Sequence, residues 1–239
     1  MNKMNKQNIH ASIICCLYNE VNLIDKRLID CIKQIQKSEL NIEIIILDNN
    51  STDGTKIKLK KLESEGLFDN ITYVFNSSNL GKGGSIKEAC KIAQGKYCCV
   101  FDIDEYFVED LLNGIDLIES RSLDLLVGSR INEKDHFIYK SNYYGVRFLT
   151  SLINFFFNIN LTDSAGCIKI FDKNKYSQVF VKTSGFDFEF ELICKFAKKK
   201  FMIGEFYTTY TPRTFAEGKK LVAWKDGSKI LLVILKNIL

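Results

Sequence analysis

The stretch "ASIICCLYNEVNLIDKRLIDCIKQIQKSELNIEIIILD" (11–48) decides the fold of this chain. It begins and ends with continuous apolar runs, 11–17 and 42–48, and the segment between them, 20–38, repeats apolar residues at helical spacing. Strands buried on both faces of a parallel sheet have such continuous runs, and parallel neighbours are usually connected by a helix. The stretch therefore predicts a strand, a helix and a second strand parallel to the first.

The same alternation continues along the chain. Further strands are predicted at 71–76, 96–102, 123–129, 166–172 and 202–212, and further helices at 52–66, 83–95, 143–157 and 186–200. This pattern predicts an α/β fold with a Rossmann-like, mostly parallel central sheet and helices on both of its faces. We expect the last strand at an edge of the sheet, ending at Pro212, because proline cannot continue the pairing of a strand.

The composition is that of a globular protein with little net charge. The chain has 33 basic and 29 acidic residues, so its charge of +4 does not indicate a nucleic-acid partner. Its eight cysteines include no C-x-x-C pair, which favours buried free thiols in a reducing compartment. There is no signal-peptide pattern and no run of the ~18 apolar residues that a membrane span needs. We expect a cytoplasmic protein whose apolar segments 148–161 and 229–239 are either core helices or contacts to a membrane surface.

Polar residues follow each of the first four predicted strands. They read "YNE" (18–20), "DNNSTDG" (48–54), "NSSNLGKGG" (76–84) and "DIDE" (102–105). Ligands of open α/β sheets bind outside the carboxyl ends of the strands, so these ends predict a site for a polar ligand. Asp48 can accept hydrogen bonds from a ribose or a base, glycines let backbone approach a ligand, and Lys82 can offset phosphate charge. A nucleoside diphosphate suits these groups, although the loop is not a P-loop.

The pair Asp102 and Asp104 indicates a divalent cation. Alternate side chains of an extended segment point the same way, so the two carboxylates can share one ligand set. Hard oxygen ligands suit Mg²⁺ or Mn²⁺, which binds through one or two carboxylates together with substrate phosphates.

Seven motifs in this order resemble the family 2 glycosyltransferases of the GT-A fold. They are "YNE", "LDNNSTDGT", "NLGKGG", "FDID", "GSR", "DSAGCIKIF" and "FEFEL", and the resemblance covers about residues 11–221. Within that family the chain most resembles the dolichyl-phosphate mannosyltransferase and polyprenyl-phosphate glycosyltransferase branch. The resemblance implies a single domain, 1–239, with a nucleotide-sugar-binding half at about 11–105, an acceptor half at about 106–221 and a C-terminal helix at 222–239.

The resemblance also implies a role for each matching position on the donor side. Residues of the first three loops fall where the donor is held: Tyr18, Glu20, Asp48, Ser51, Asn79, Gly81 and Lys82, with Asp53 shaping the second loop. Asp102 and Asp104 match the metal-binding pair, with Asp104 the likelier direct ligand. Arg213 and Lys219 match a basic segment that closes over the diphosphate.

On the acceptor side, Arg130, Arg147 and Lys169 match basic positions that face an acceptor phosphate. Glu191 matches an acidic position of the late helix, and Glu189 lies beside it. Two departures concern the donor. Asn49 replaces a second acid after Asp48, and Tyr106 replaces a glutamine that the mannosyltransferases have near the metal.

The implied reaction is inverting transfer of a hexose from a GDP- or UDP-sugar. A polyprenyl phosphate acceptor is already an anion and needs only arginines to position it. A saccharide acceptor, as in surface-polysaccharide assembly, needs a general base, for which Glu191 or Glu189 is the candidate. An inactive sugar-nucleotide-binding module and a nucleotidyltransferase are the alternatives of another class. The basic set favours the polyprenyl phosphate.

Overall fold

The computed structural model describes residues 9–104, 106–131, 140–214 and 223–238, without the side chains of 223–225. The strands of this part are β1 (Ala11–Leu17), β2 (Ile42–Asp48), β3 (Ile71–Phe75), β4 (Tyr97–Val100), β5 (Leu125–Ser129), β6 (Lys169–Asp172) and β7 (Ile203–Tyr207). The helices are α1 (Val21–Leu23), α2 (Ile29–Gln36), α3 (Thr55–Glu65), α4 (Gly81–Ile92), α5 (Val108–Ser120), α6 (Lys140–Phe157), α7 (Lys173–Tyr176), α8 (Phe188–Lys198) and α9 (Ala223–Ile238). A π-helical segment, Ile24–Leu28, joins α1 to α2.

The described strands form one seven-stranded sheet in the order β3-β2-β1-β4-β6-β5-β7. β6 runs antiparallel to β4 and β5, and every other neighbouring pair in this order is parallel. The predicted α/β class, the mostly parallel sheet and the edge position of the last strand are confirmed.

Helices cover both faces of the sheet. The chain passes from β1 to β2 and from β2 to β3 in one direction, and then returns past β1 to reach β4. Because parallel crossovers are right-handed, α2 and α3 lie on one face and α4 on the other. α5 packs beside α2, and α8 packs beside α4. The central strands are accordingly buried, with Ile13 and Ile46 both 0% exposed.

The predicted bounds of β1 and β2 agree with the structure, but those of β7 do not. β7 ends at Tyr207, which pairs with Ser129, the last residue of β5. Past this point the backbone N–H of Thr209 donates to Asp110 Oδ2 at 2.7 Å. The prediction that the strand continues to Pro212 is therefore wrong, because its partner strand ends first.

Helix α5 was not predicted. Its apolar residues Val108, Leu111, Ile115 and Ile118 recur at helical spacing, and all four are buried. That spacing was the available signal. Among the described residues, none of the helices combines the length and apolarity that a bilayer crossing requires.

The strand order reverses between β1 and β4. Strands added after β1 lie on one side of it, whereas β4 lies on the other. At such a switch point the loops after the two strands separate and leave a crevice for a ligand. This crevice is bordered by 18–20 after β1 and 101–104 after β4.

Candidate active site

The loops after β1 and β2 hold each other by hydrogen bonds. The N–H of Asn19 donates to Ser51 Oγ at 2.9 Å, and the N–H of Thr52 donates to Asn19 Oδ1 at 2.9 Å. Asn19 and Asn50 have φ angles of 51° and 61°, a left-handed conformation that asparagine tolerates better than most residues. The first two polar strand ends therefore form one connected surface.

Asp48 and Asp53 organise the second loop. Asp48 is 0% exposed and accepts the N–H of Ser51 at 3.2 Å. Asp53 accepts the N–H of Val21 at 3.0 Å and the hydroxyl of Thr55 at 2.6 Å. Burial acts to raise the pKa of Asp53, but these hydrogen bonds outweigh it and leave the pKa below its usual value. The contact of Asp48 with a nucleoside stays a prediction.

Asn49 and Asn79 join the second loop to the third. Asn49 Nδ2 donates to Asn79 Oδ1 at 2.9 Å, while Asn49 Oδ1 accepts the N–H of Leu80 at 2.9 Å. An amide can donate and accept at once, which an ionised carboxylate cannot. Asn49 therefore has a structural use here.

The glycines of "NLGKGG" have a different use from the predicted one. They begin α4, and the N–H groups of Gly83 and Gly84 donate to the carbonyls of Gly185 and Ser184 at 3.3 and 3.0 Å. A Cβ on Gly81, whose φ is 74°, would lie 2.3 Å from Ser184 O. The close backbone approach is thus made by the chain's own 184–185 segment, which corrects the expectation that a ligand fills this space. A donor contact of Gly81 itself stays a prediction.

Gly81→Ala should lower the free energy of unfolding by about 2 kcal/mol or more, because the new methyl group meets backbone and the φ is unfavourable. Gly145→Ala is the matched control. Gly145 lies inside α6, and a methyl group added there would have nothing within 4 Å of it, so alanine should stabilise by up to about 1 kcal/mol. Urea unfolding of both variants measures the difference, and equal stabilities would contradict the packing at residue 184.

The two aspartates of the D-x-D have different partners. Asp102 lies two residues past β4 and contacts Lys82 Nζ at 2.7 Å, whereas Asp104 lies in a turn and contacts the guanidinium of Arg213. The same guanidinium contacts Glu20 at 3.2 Å. The expected extended conformation is wrong, because the chain turns at 103–104. That the two carboxylates share one ligand set stays a prediction.

Lys82 lies at the centre of a charged cluster. Besides Asp102, its Nζ lies 2.7 Å from Glu189 Oε1 and 3.0 Å from Cys167 Sγ. The contact with Glu189 is an ion pair whose angles depart from those of a hydrogen bond. Burial acts to lower the pKa of Lys82, but Asp102, Cys167 and Glu189 outweigh it and hold the pKa well above its ordinary value. Lys82 is therefore charged, with Asp102 and Glu189 as its counter-ions.

Lys169 lies inside the protein, behind this cluster. It is 0% exposed, contacts Gly166 O and lies 3.9 Å from Glu189 Oε2. Burial lowers the pKa of Lys169, and the attraction of Glu189 only partly opposes that effect. The structure gives Lys169 interior partners, and its contact with an acceptor stays a prediction.

Arg130 and Asp163 form a buried pair. Arg130 Nε and Nη2 donate to the two carboxylate oxygens of Asp163 at 2.7 and 3.0 Å, and the ring of Tyr210 lies 5.2 Å from the guanidinium. Burial acts to lower the pKa of Arg130, but the nearby Asp163 outweighs it and keeps the pKa high. The bidentate contact orients the guanidinium.

Arg147 lies next to this pair. Its Nη1 donates to the carbonyl of Thr162 at 3.1 Å, and Thr162 and Asp163 donate their N–H groups to Glu205 at 2.8 and 2.9 Å. Two of the three predicted acceptor-side cations, Arg130 and Arg147, are therefore joined through the 162–163 backbone.

The family model for glycosyl transferase family 2 matches residues 12–180. The chain belongs to this family. Dolichyl-phosphate beta-glucosyltransferase of Saccharomyces cerevisiae is 27% identical, over 95% of this chain and 71% of the relative. The enzyme of the same name from Dictyostelium discoideum is 33% identical over 54% of this chain, which spans only 42% of that relative's length. These relatives confirm the resemblance to the polyprenyl-phosphate branch.

A solved structure shares the fold. Glucosyl-3-phosphoglycerate synthase from Mycobacterium tuberculosis, in complex with Mn²⁺, uridine diphosphate and phosphoglyceric acid, superposes with a TM-score of 0.68. The match covers 96% of this chain and 78% of the other at 14% identity. The predicted GT-A fold of this family 2 glycosyltransferase is confirmed.

Glu191 and Glu189 differ in their surroundings in this glycosyltransferase. Glu191 Oε2 accepts the N–H groups of Lys182 and Thr183 at 3.0 and 2.8 Å, so it holds the segment before α8. Glu189 contacts Lys82, which joins it to Asp102. A catalytic role stays a prediction for both, and Glu189 lies nearer to the D-x-D network.

Several residues that shape the site had no role predicted for them. Asp163 and Cys167 belong to the quoted motif "DSAGCIKIF", and an acid beside the apolar residues of that motif was the available signal for Asp163. Tyr106 is 0% exposed, and its hydroxyl accepts the N–H of Cys167 at 2.9 Å. Tyr106 thus supports the 163–167 segment.

Two residues of the motifs, Lys219 and Glu105, lie outside the described residues. Within the described ranges, no group of three or more His, Cys, Asp or Glu side chains could hold a metal ion. Asp102 and Asp104 supply hard oxygens, and Asp104 already contacts a cation, Arg213. This donor set fits Mg²⁺ or Mn²⁺ bound through one or two carboxylates with the remaining ligands from phosphate and water.

Proposed function

We propose that this protein is an inverting hexosyltransferase that moves a hexose from a nucleoside-diphosphate sugar to a polyprenyl phosphate. The observation that carries the proposal is the bridge made by Arg213. Its guanidinium contacts Glu20 after β1 and Asp104 after β4, so it spans the crevice at the switch point of the sheet. A charged crevice of this kind suits a ligand with phosphates and a bound cation.

The donor, a GDP- or UDP-hexose, would lie along the connected loops after β1, β2 and β3. Tyr18, Glu20 and Asp48 would hold the nucleoside, and Ser51 and Asn79 would keep these loops in place. Arg213 would turn from the carboxylates to the diphosphate, with Lys219 completing the basic segment. Gly81 would belong to this side through the turn that starts α4.

Asp102 and Asp104 would hold Mg²⁺ or Mn²⁺, with Asp104 as the direct ligand. When bound, the metal neutralises charge on the leaving nucleoside diphosphate. Lys82 would lie behind the metal site, where its contact with Asp102 holds that carboxylate in position. The residues of the chain thus supply the site's negative charge at Asp102, Asp104 and Glu20.

The acceptor phosphate would meet Arg130 and Arg147. Asp163 orients Arg130, so a phosphate would find the guanidinium already placed. A phosphate oxygen is an anion at neutral pH and attacks the anomeric carbon without a general base. The sugar carbon then bonds to the phosphate oxygen while its bond to the nucleoside diphosphate breaks. The names of the Saccharomyces and Dictyostelium relatives support this acceptor class.

A saccharide acceptor is the second candidate. It is favoured by Glu189, which lies 2.7 Å from Lys82 and is linked through it to Asp102. A hydroxyl nucleophile requires a base near the D-x-D, and Glu189 is the nearer of the two glutamates by these contacts. Under either acceptor the protein would work in the cytoplasm, and a polyprenyl acceptor would place it at the inner face of the cytoplasmic membrane.

The experiment screens UDP- and GDP-hexoses with Mn²⁺ for a rise in melting temperature, since a ligand of the native state raises apparent stability. The best donor is then incubated with a short polyprenyl phosphate or with oligosaccharides, and the released nucleoside diphosphate is measured. Transfer to the polyprenyl phosphate supports the proposal, whereas transfer to glycans alone overturns it in favour of the second candidate. Donor binding without release with any acceptor would mean an inactive binding module.

A further inference from the structure

α6 has a row of exposed aromatic side chains. Tyr144, Phe148 and Phe155 are 68%, 56% and 80% exposed, and their spacing places them on one face of the helix. Phe156 beside them is 45% exposed. The opposite face, with Leu149 and Ile153, is buried in the core. Aromatic residues concentrated on the outer face of one helix are unusual for a surface that faces only water.

α9 extends this surface. α9 is a neighbour of α6 in the fold, since α6, α8 and α9 pack against one another. On α9 the outward residues include Leu232 and Leu235, which are 56% and 43% exposed, while Ile230 and Ile234 are buried. We call the outward faces of these two helices, with Tyr144, Phe148, Phe155, Leu232 and Leu235, the apolar surface.

The charged side chains described on α6 and α9 are mostly positive. α6 contains Lys140 and Arg147 and no acidic residue. On α9 the exposed Lys229 and Lys236 lie in line with Leu232, and the acid of this helix, Asp226, lies in its first turn. Aromatic and leucine side chains flanked by lysines are typical of helices that lie in the interface of an anionic bilayer.

We propose that the apolar surface binds the surface of an anionic lipid bilayer, with α6 and α9 lying in the headgroup region. The inner side of α6 is tied to the acceptor side of the site, because Arg147 donates to Thr162 and Thr150 contacts Ser164 at 2.8 Å. A bilayer bound there would lie across α6 from Thr162 and Ser164. The inference deepens the proposed function, since a polyprenyl acceptor lies in a bilayer, but it is tested without donor or acceptor.

The test measures flotation of the whole chain with vesicles of phosphatidylcholine, with and without phosphatidylglycerol. We expect binding to vesicles with phosphatidylglycerol that weakens as salt is added. The double variant Phe148→Ser, Phe155→Ser should bind at least about tenfold more weakly, because two aromatic side chains no longer enter the interface. The control is Ile57→Ser, Phe180→Ser, which removes two side chains that are 75% and 73% exposed elsewhere and should bind like the unchanged protein.

Equal vesicle binding by the two double variants would overturn the proposal. It would also be overturned if the protein without substitutions did not float with the vesicles. A dimer that the Phe148→Ser, Phe155→Ser variant dissociates, without vesicle binding, would instead assign the surface to a second copy of the chain. Circular dichroism and nucleotide-sugar affinity check that the variants are folded. If the protein binds vesicles but has no transferase activity, this inference stands and the proposed function is wrong.

Discussion

Asp104→Asn should lower turnover by about 10²- to 10³-fold, the usual cost of removing one preorganised electrostatic group from an active site. The amide has nearly the same shape but no charge, so it is a poor ligand for Mg²⁺ or Mn²⁺ and a weaker partner for Arg213. The amide oxygen can still accept a hydrogen bond from Arg213, so the variant is expected to stay folded. Release of nucleoside diphosphate measures turnover, and electron paramagnetic resonance measures Mn²⁺ binding.

Asp69→Asn is the control for this variant. Asp69 is an exposed carboxylate beside the amino end of β3, away from the crevice, so its loss should change neither measurement. Full activity of Asp104→Asn would refute the metal and donor role of Asp104. If activity is lost while the affinity for Mn²⁺ is unchanged, Asp104 acts only through its contact with Arg213.

Lys82→Met should lower the free energy of unfolding by about 3 kcal/mol, because it leaves Asp102 and Glu189 without the cation that contacts both. The Glu189 side chain is only 7% exposed, so water replaces little of the lost attraction. Adding Glu189→Gln to Lys82→Met should recover part of the loss, since one of the two carboxylates that lost the Lys82 cation is then neutral. Urea unfolding measures both effects, and the slope of the unfolding free energy against urea concentration should stay unchanged.

Lys91→Met is the control on the same helix. Lys91 pairs with Glu88 at 2.6 Å, but its side chain is 66% exposed, so we expect a change within about 0.5 kcal/mol. If Lys82→Met were as stable as Lys91→Met, the cluster around Lys82 would be well hydrated. In that case its contacts could not keep Asp102 in position.

Local pattern was enough to predict the sheet. The bounds of β1 and β2 agree because each strand is a continuous apolar run that ends at a polar turn. The same pattern predicted polar loops at one edge, because the carboxyl ends of parallel strands must meet there. β7 and α5 show what local pattern does not predict. The end of β7 depends on where β5 stops, and α5 required attention to spacing after a charged turn.

The glycines and lysines show what local pattern does not specify. A glycine before a helix predicts a close approach, but the approaching group here is the 184–185 backbone, which folds in from far along the chain. Likewise a lysine beside glycines suits a phosphate, and the partners of Lys82 are Asp102 and Glu189.

The apolar runs and their spacing are properties of neighbouring residues, so this chain's sequence alone is sufficient for the α/β class, the mostly parallel sheet and the edge at which a polar ligand is expected. The counter-ion of each charged side chain is a property of residues brought together only by folding. Tertiary structure therefore decided that Arg213 bridges Glu20 and Asp104, that Lys169 is enclosed and that Asp163 orients Arg130. Coulomb attraction and burial depend on distance in space, which the order of residues does not contain.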